Sequence, residues 1–137
     1  MAIRVYHRDE ATVRLPMIAR DARLVVWPGV GALTANMNYV LMVPGEANFP
    51  HTHPISEDTI LILSGEGTIS DLSHGVDHRI AAGQVVHVPK GIKHQVRADR
   101  GHPIESVGGP CPADVDGLRA AGVLSEEPAA RHTRDDA

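Results

Sequence analysis

The chain contains one cysteine, Cys111, so no disulfide can close within it. No apolar run approaches the roughly 18 residues that a membrane-spanning helix needs. Charges of both signs are dispersed around a net −4 at pH 7, and no basic stripe marks a nucleic-acid footprint. The opening residues, Met1-Ala2-Ile3-Arg4-Val5-Tyr6, hold no apolar signal-peptide core. These absences exclude a disulfide scaffold and lead to the expectation of a cytoplasmic protein with neither membrane nor nucleic acid as a partner. What is present is an ordinary hydrophobic share, 42% of 137 residues, enough for one domain with a modest core. The unusual count is nine histidines.

Short runs of strand character recur along the chain, split by Gly, Pro and Asp. Ile3 to Tyr6 alternates apolar and polar residues and predicts a short strand. Arg8 to Arg20 has no firm period and reads as mixed loop and strand. Ala22 to Trp27 stops at Pro28-Gly29, and Gly31 to Val43 stops at Pro44-Gly45. On the second of these runs, Asn36 and Asn38 share one face with Val40 and Met42; they line either a polar pocket or a solvated edge. Thr59 to Leu63 reads as a buried strand, and Thr68 to Leu72, after the Gly65-Glu66-Gly67 turn, as its hairpin partner. Asp77 to Ile80, Val85 to Val88, His94 to Ala98 and Ile104 to Val107 complete the set. This spacing argues for a β-sandwich or small barrel. Gly108 to Pro112 then reads as a linker or extended segment. Asp114 is placed to N-cap a short helix through Gly117–Ala121 that stops near Gly122. Residues 125–137 form a polar tail with nothing to bury, leaving one domain over residues 1–124.

The chemistry concentrates between Gly45 and His94. His51 and His53 are two apart, and on an extended segment such side chains point to one face, so both imidazoles can reach one ion. The acids Glu57 and Asp58 follow, and His94 arrives from a distant strand. Imidazole nitrogens with one carboxylate suit a divalent transition metal: iron, manganese, nickel, copper or zinc.

The spacing of these residues resembles that of the cupin superfamily. Its first motif is glycine, five residues, His-X-His, three or four residues, glutamate, six residues, glycine; here Gly45, His51-Thr52-His53, the acidic pair and Gly65 occupy residues 45–65. Its second is glycine, five residues, Pro-X-Gly, two residues, histidine, three residues, asparagine; here Gly83, Pro89-Lys90-Gly91 and His94 lie within residues 83–98, with Ala98 in place of the asparagine. The resemblance implies an all-β, double-stranded β-helix (jelly-roll) barrel, with the short C-terminal helix and the polar tail outside it. It implies His51, His53 and His94 as metal ligands together with one carboxylate. Counting six residues back from Gly65 gives Asp58, which spacing favours; Glu57 is the alternative, with the family's residue type and the longer reach. Whichever of the two does not ligate is a candidate for a base, as is His87 on a nearby strand, so Glu57, Asp58 and His87 are the candidate catalytic residues. Tyr39 and Met42 are candidates for the pocket wall or the core. Family members of this size include dioxygenases and non-redox polyketide cyclases and isomerases, commonly dimeric. The expectation is therefore a metal-dependent enzyme acting on a small organic metabolite, by either dioxygenase-type oxidation or Lewis-acid cyclisation or isomerisation, between which the fold does not choose; the alternative is a metal- or small-molecule-binding protein without turnover, and a homodimer is expected in either case.

Overall fold

The computed structural model describes residues 2–124. Among these residues, eight strands form two antiparallel sheets: β1 (Asp21–Val26), β2 (Met37–Met42), β3 (Glu57–Ser64), β4 (Glu66–Asp71), β5 (Val76–Ala81), β6 (Val85–Val88), β7 (His94–Ala98) and β8 (Ile104–Cys111), followed by one short α-helix, α1 (Val115–Ala120). The larger sheet has the order β1-β2-β8-β3-β6 and the smaller β5-β4-β7. Alternate residues of the two sheets point at one another and form one core, with Leu24, Met42, Ile62 and Ile104 from the larger sheet and Ile69, Ile80 and Val96 from the smaller. The architecture is the expected double-stranded β-helix.

Two expected elements differ. Thr68 to Leu72 is not a hairpin partner of the preceding strand. Both edges of β3 are taken, by β6 and by β8, and the chain after Gly65 crosses to the other sheet, where β4 pairs with β5 and β7. Gly65 makes this crossing with φ 93°, and a Cβ there would sit 1.8 Å from the Pro103 carbonyl oxygen. Only glycine fits so close a backbone approach. Residues 3–6, expected as a strand, are not strand in the structure, and Ile3 and Val5 are almost fully exposed.

Two further segments are sharpened. The run from Gly31 is strand only from Met37. The stretch Gly108–Cys111 is no linker; it continues β8 alongside β3, so that Asp58 faces Pro110 and Ile60 faces Gly108. The helix begins as expected, with the Asp114 side chain accepting from the Gly117 amide at 3.0 Å. The 125–137 tail lies outside the described residues.

The crossing glycine generates a prediction. Gly65→Ala forces both a clash with Pro103 and a left-handed backbone on an L-residue, whereas Gly75 (φ 69°) faces open space. Urea denaturation should show Gly75→Ala losing about 1 kcal/mol and Gly65→Ala several-fold more. Equal losses would mean that the close approach carries no cost.

Candidate metal centre

The site forms where the loop before β3 runs back along β7. His51 and His94 are directly opposed, each backbone amide donating to the other's carbonyl, at 3.1 and 3.0 Å. This pairing sets their rings 4.3 Å apart, centroid to centroid. His53 lies two residues on, with its ring 4.9 Å from that of His51. Its carbonyl accepts from the Gly91 amide at 3.0 Å, which ties the Pro-X-Gly turn to the His-X-His segment. The fourth group arrives on β3. Asp58 pairs with Pro110 of β8 and Val88 of β6, and this register turns it inward. One oxygen lies 3.6 Å from His53 Nε2 and 3.9 Å from His94 Nε2. One ligand atom from each of His51, His53, Asp58 and His94 can be chosen so that all lie within 4.8 Å of one another.

Each imidazole is oriented through its other nitrogen. His51 Nδ1 donates to the Phe49 carbonyl at 2.8 Å and His94 Nδ1 to the Ile92 carbonyl at 2.9 Å. His53 Nδ1 donates to the Asp114 carboxylate at 2.7 Å. A carbonyl or carboxylate oxygen can only accept, so the hydrogen is on Nδ1, and Nε2 of each neutral ring keeps a free lone pair. Burial favours the neutral form, holding the pKa of His51 down to about 4 and that of His94 below its ordinary value. Burial pushes the Asp58 carboxyl up to about 6. Its Oδ1 and the Nε2 of His94 are buried with no hydrogen-bond partner. Two such orphans in one cluster are costly unless something else meets them. A cation would satisfy both, and the donor set of imidazoles and one carboxylate fits a divalent transition metal.

Glu57, one residue away, takes the opposite face. It is exposed and bonds His87 Nε2 at 2.7 Å across the outer surface of the sheet, with side-chain exposures of 65% and 55%. Neither residue lines the cavity that holds the histidine cluster. Tyr39 also faces outward from that cavity, its hydroxyl bonded to Glu105 and its ring beneath Arg8 and Arg23; Met42 faces inward.

The structure adds two features that the spacing of the motifs does not display. One is Asp114, which joins the start of α1 to His53 across 61 positions of sequence. The capping signal located this residue, but no local pattern connects it with the His-X-His segment. The other is the pair Asn36 and Asn38, both on the cavity wall. The cavity has a volume of about 250 Å³; its wall is mainly apolar, with Leu15, Met42, Ile60, Ile62, Val96 and Leu118 among the contributors, and it includes no Lys or Arg.

Comparison with known proteins agrees with this arrangement. The family model described as "Cupin domain" matches residues 38–106, and the chain belongs to the cupin family. Among curated relatives, rice germin-like protein 3-5 is 34% identical over 74 residues, covering 50% of this chain and 33% of the relative. Wheat oxalate oxidase GF-3.8 is 31% identical over 80 residues, covering 54% and 36%. The chain thus spans about a third of the length of these relatives. Among solved structures, the polyketide cyclase RemF from Streptomyces resistomycificus aligns with a TM-score of 0.67 at 20% identity, covering 82% of this chain and 80% of that one. A cupin from Methanocaldococcus jannaschii aligns with a TM-score of 0.63 at 21% identity, covering 85% and 96%. These structural likenesses show the fold.

The buried carboxyl makes a stability prediction for metal-free protein. A folded pKa of about 6 against an ordinary 3.8 means that the folded state holds the Asp58 proton more tightly. Its contribution to stability is fully present below the unfolded value and is lost as pH rises through about 6, a change on the order of 3 kcal/mol at most. His51 acts in the opposite sense: its neutral form contributes stability above pH 6.5 that is lost as pH falls toward about 4. Comparing Asp58→Asn with wild type isolates the carboxyl. The metal-free variant should be the more stable at pH 7, with the gain fading as pH falls from 6 to 4, measured by urea denaturation in chelator. A variant less stable at every pH would contradict this account.

Proposed function

We propose that this chain is a metal-dependent enzyme acting on a small, largely apolar organic molecule, in a non-redox cyclisation or isomerisation of the polyketide-cyclase type. The observation that carries the metal reading is the pair of buried orphans, Asp58 Oδ1 and His94 Nε2, in a cluster whose three imidazoles already commit Nδ1 elsewhere. His51, His53 and His94 would hold one divalent metal ion through Nε2, and Asp58 through its carboxylate. Such an ion supplies Lewis acidity at a substrate oxygen. The chain's own contribution is orientation and exclusion of water. Phe49, Ile92 and Asp114 fix the rings, and the apolar wall holds the substrate's hydrocarbon part out of solvent. Glu57 and His87 have no part in this reading, because their pair lies on the outer face.

Dioxygenase-type oxidation is the second reading. It is favoured by the donor set itself, which also suits iron, nickel and copper. Oxalate, the substrate in the name of the wheat relative, would meet its positive charge in this reading at the ion itself, because the wall around the ion carries no Lys or Arg.

Protein purified without added metal, or loaded afterwards, should carry about one transition-metal ion per chain by elemental analysis. His94→Ala should abolish occupancy, and Glu57→Gln should leave it unchanged. Asp114→Ala should weaken metal affinity by about 10–100-fold, beyond the loss of roughly 1 kcal/mol in stability expected from the helix cap. Failure of the wild type to take up any metal would overturn the proposal. Turnover of enolisable cyclic ketones without oxygen consumption would support the non-redox reading, and turnover that stops under nitrogen would favour the dioxygenase.

A further inference from the structure

One stretch of the cavity wall is a helix rather than a strand or loop. Asp114, Leu118 and Ala121 recur at helical spacing, so they share one face of α1, and all three line the cavity. Asp116 and Ala120, on the other side of the helix, are exposed. A single short helix therefore stands between this side of the cavity and solvent.

Its attachment differs from that of the rest of the wall. The strands that contribute to the wall are held in ladders. Leu15 and Met17 are tied by backbone bonds to Ala22 and Phe49, and the His-X-His segment to His94 and Gly91. Among the described residues, the backbone hydrogen bonds made by residues 113–124 all stay within that stretch. Two side-chain bonds join this end of the chain to the loop before β3. Ser56 Oγ donates to the Pro112 carbonyl at 2.6 Å, just before the helix, and His53 Nδ1 donates to the Asp114 carboxylate at 2.7 Å. Leu118 is the buried apolar anchor of α1.

The two oxygens of Asp114 are divided between helix and site. Oδ1 accepts from the Gly117 amide, and Oδ2 accepts from His53. The carboxylate therefore travels with the helix. An outward swing of α1 strips His53 of the acceptor that orients its ring.

We propose that α1 is the gate of the cavity, pivoting at the Ser56–Pro112 bond and latched shut by Asp114 on His53. Small apolar molecules enter when the latch opens, and closure sets the ring of His53. Opening breaks no backbone hydrogen bond to the sheets. It exposes Leu118 and releases one side-chain bond, which makes it a local opening rather than global unfolding. The gate does not depend on the enzyme reading above, but its coupling to an ion rests on that reading. An ion held by His53 Nε2 favours the closed helix by the same factor as the closed helix favours the ion.

Amide hydrogen exchange of the metal-free protein, followed residue by residue, reads the opening. The amides of Leu118, Ala121 and Val123 should exchange more than about tenfold faster than that of Ile62, which donates to the Gln84 carbonyl beside β3. Asp114→Ser keeps a capping hydroxyl but is too short to reach His53, and His53→Phe keeps a ring and the cap but has no donor. Each should speed exchange in α1 by about tenfold and leave Ile62 unchanged. The double variant should do no more than either alone. Entry is read with Val96→Cys, a thiol of similar size on the cavity wall, in a Cys111→Ser background. Iodoacetamide, small and uncharged, should label it about tenfold faster once either latch variant is added. Unchanged α1 exchange in both latch variants would overturn the latch, and faster exchange without faster labelling would overturn the gate. Zinc added to the wild type should slow exchange in α1. Zinc that binds without this effect overturns the coupling, and a wild type that takes up no zinc, yet shows the latch and labelling effects, removes the metal reading and supports the gate.

Discussion

The register of β3 between β8 and β6 is the constraint on which the site depends. With Asp58 opposite Pro110 on one side and Val88 on the other, the carboxylate enters the cavity and Glu57 is left on the outer face. A shift by one residue would exchange them, because successive side chains on a strand point to opposite faces. It would also expose Ile60 and Ile62 and bury Thr59 and Leu61. The inward position of a costly carboxylate is therefore held by the packing of its apolar neighbours on the same face.

The histidines are held by a different means. His51 and His94 face each other through paired backbone hydrogen bonds, and each ring is then turned by a bond from its own Nδ1 to a carbonyl two residues earlier. His53 is the exception. Its partner is the Asp114 carboxylate, which also caps α1, so the helix that borders the cavity and the orientation of one imidazole share a side chain. Burial keeps His51 and His94 neutral and destabilises the Asp58 carboxylate. In the metal-free molecule those effects are a cost, and they are also the conditions under which nitrogen lone pairs and a carboxylate are ready for a cation.

Much of this was legible in the residues. The positions of most strands, the turns at Pro28-Gly29 and Pro44-Gly45, the capped helix after Asp114 and the convergence of His51, His53 and His94 all follow from local patterns. Counting back from Gly65 favours Asp58 over Glu57, and the register that turns Asp58 inward comes from β8 and β6. The strand expected at residues 3–6 failed for a related reason, since alternation describes a strand's faces and is silent about whether an edge is available. The alternation of Asn36 and Asn38 with their neighbours fits pocket and solvent equally, and the pairing of β2 with β8 places both on the cavity wall.

The sequence by itself determined the family, the histidines and the alternation that makes two sheets, because each is written in spacings of a few residues. Only the tertiary structure decided which acid turns inward, which partner orients His53 and which way Asn36 and Asn38 face. Those depend on pairing between segments far apart in the chain, such as positions 53 and 114 or 38 and 108, and pairing of that kind is set by packing of the whole core.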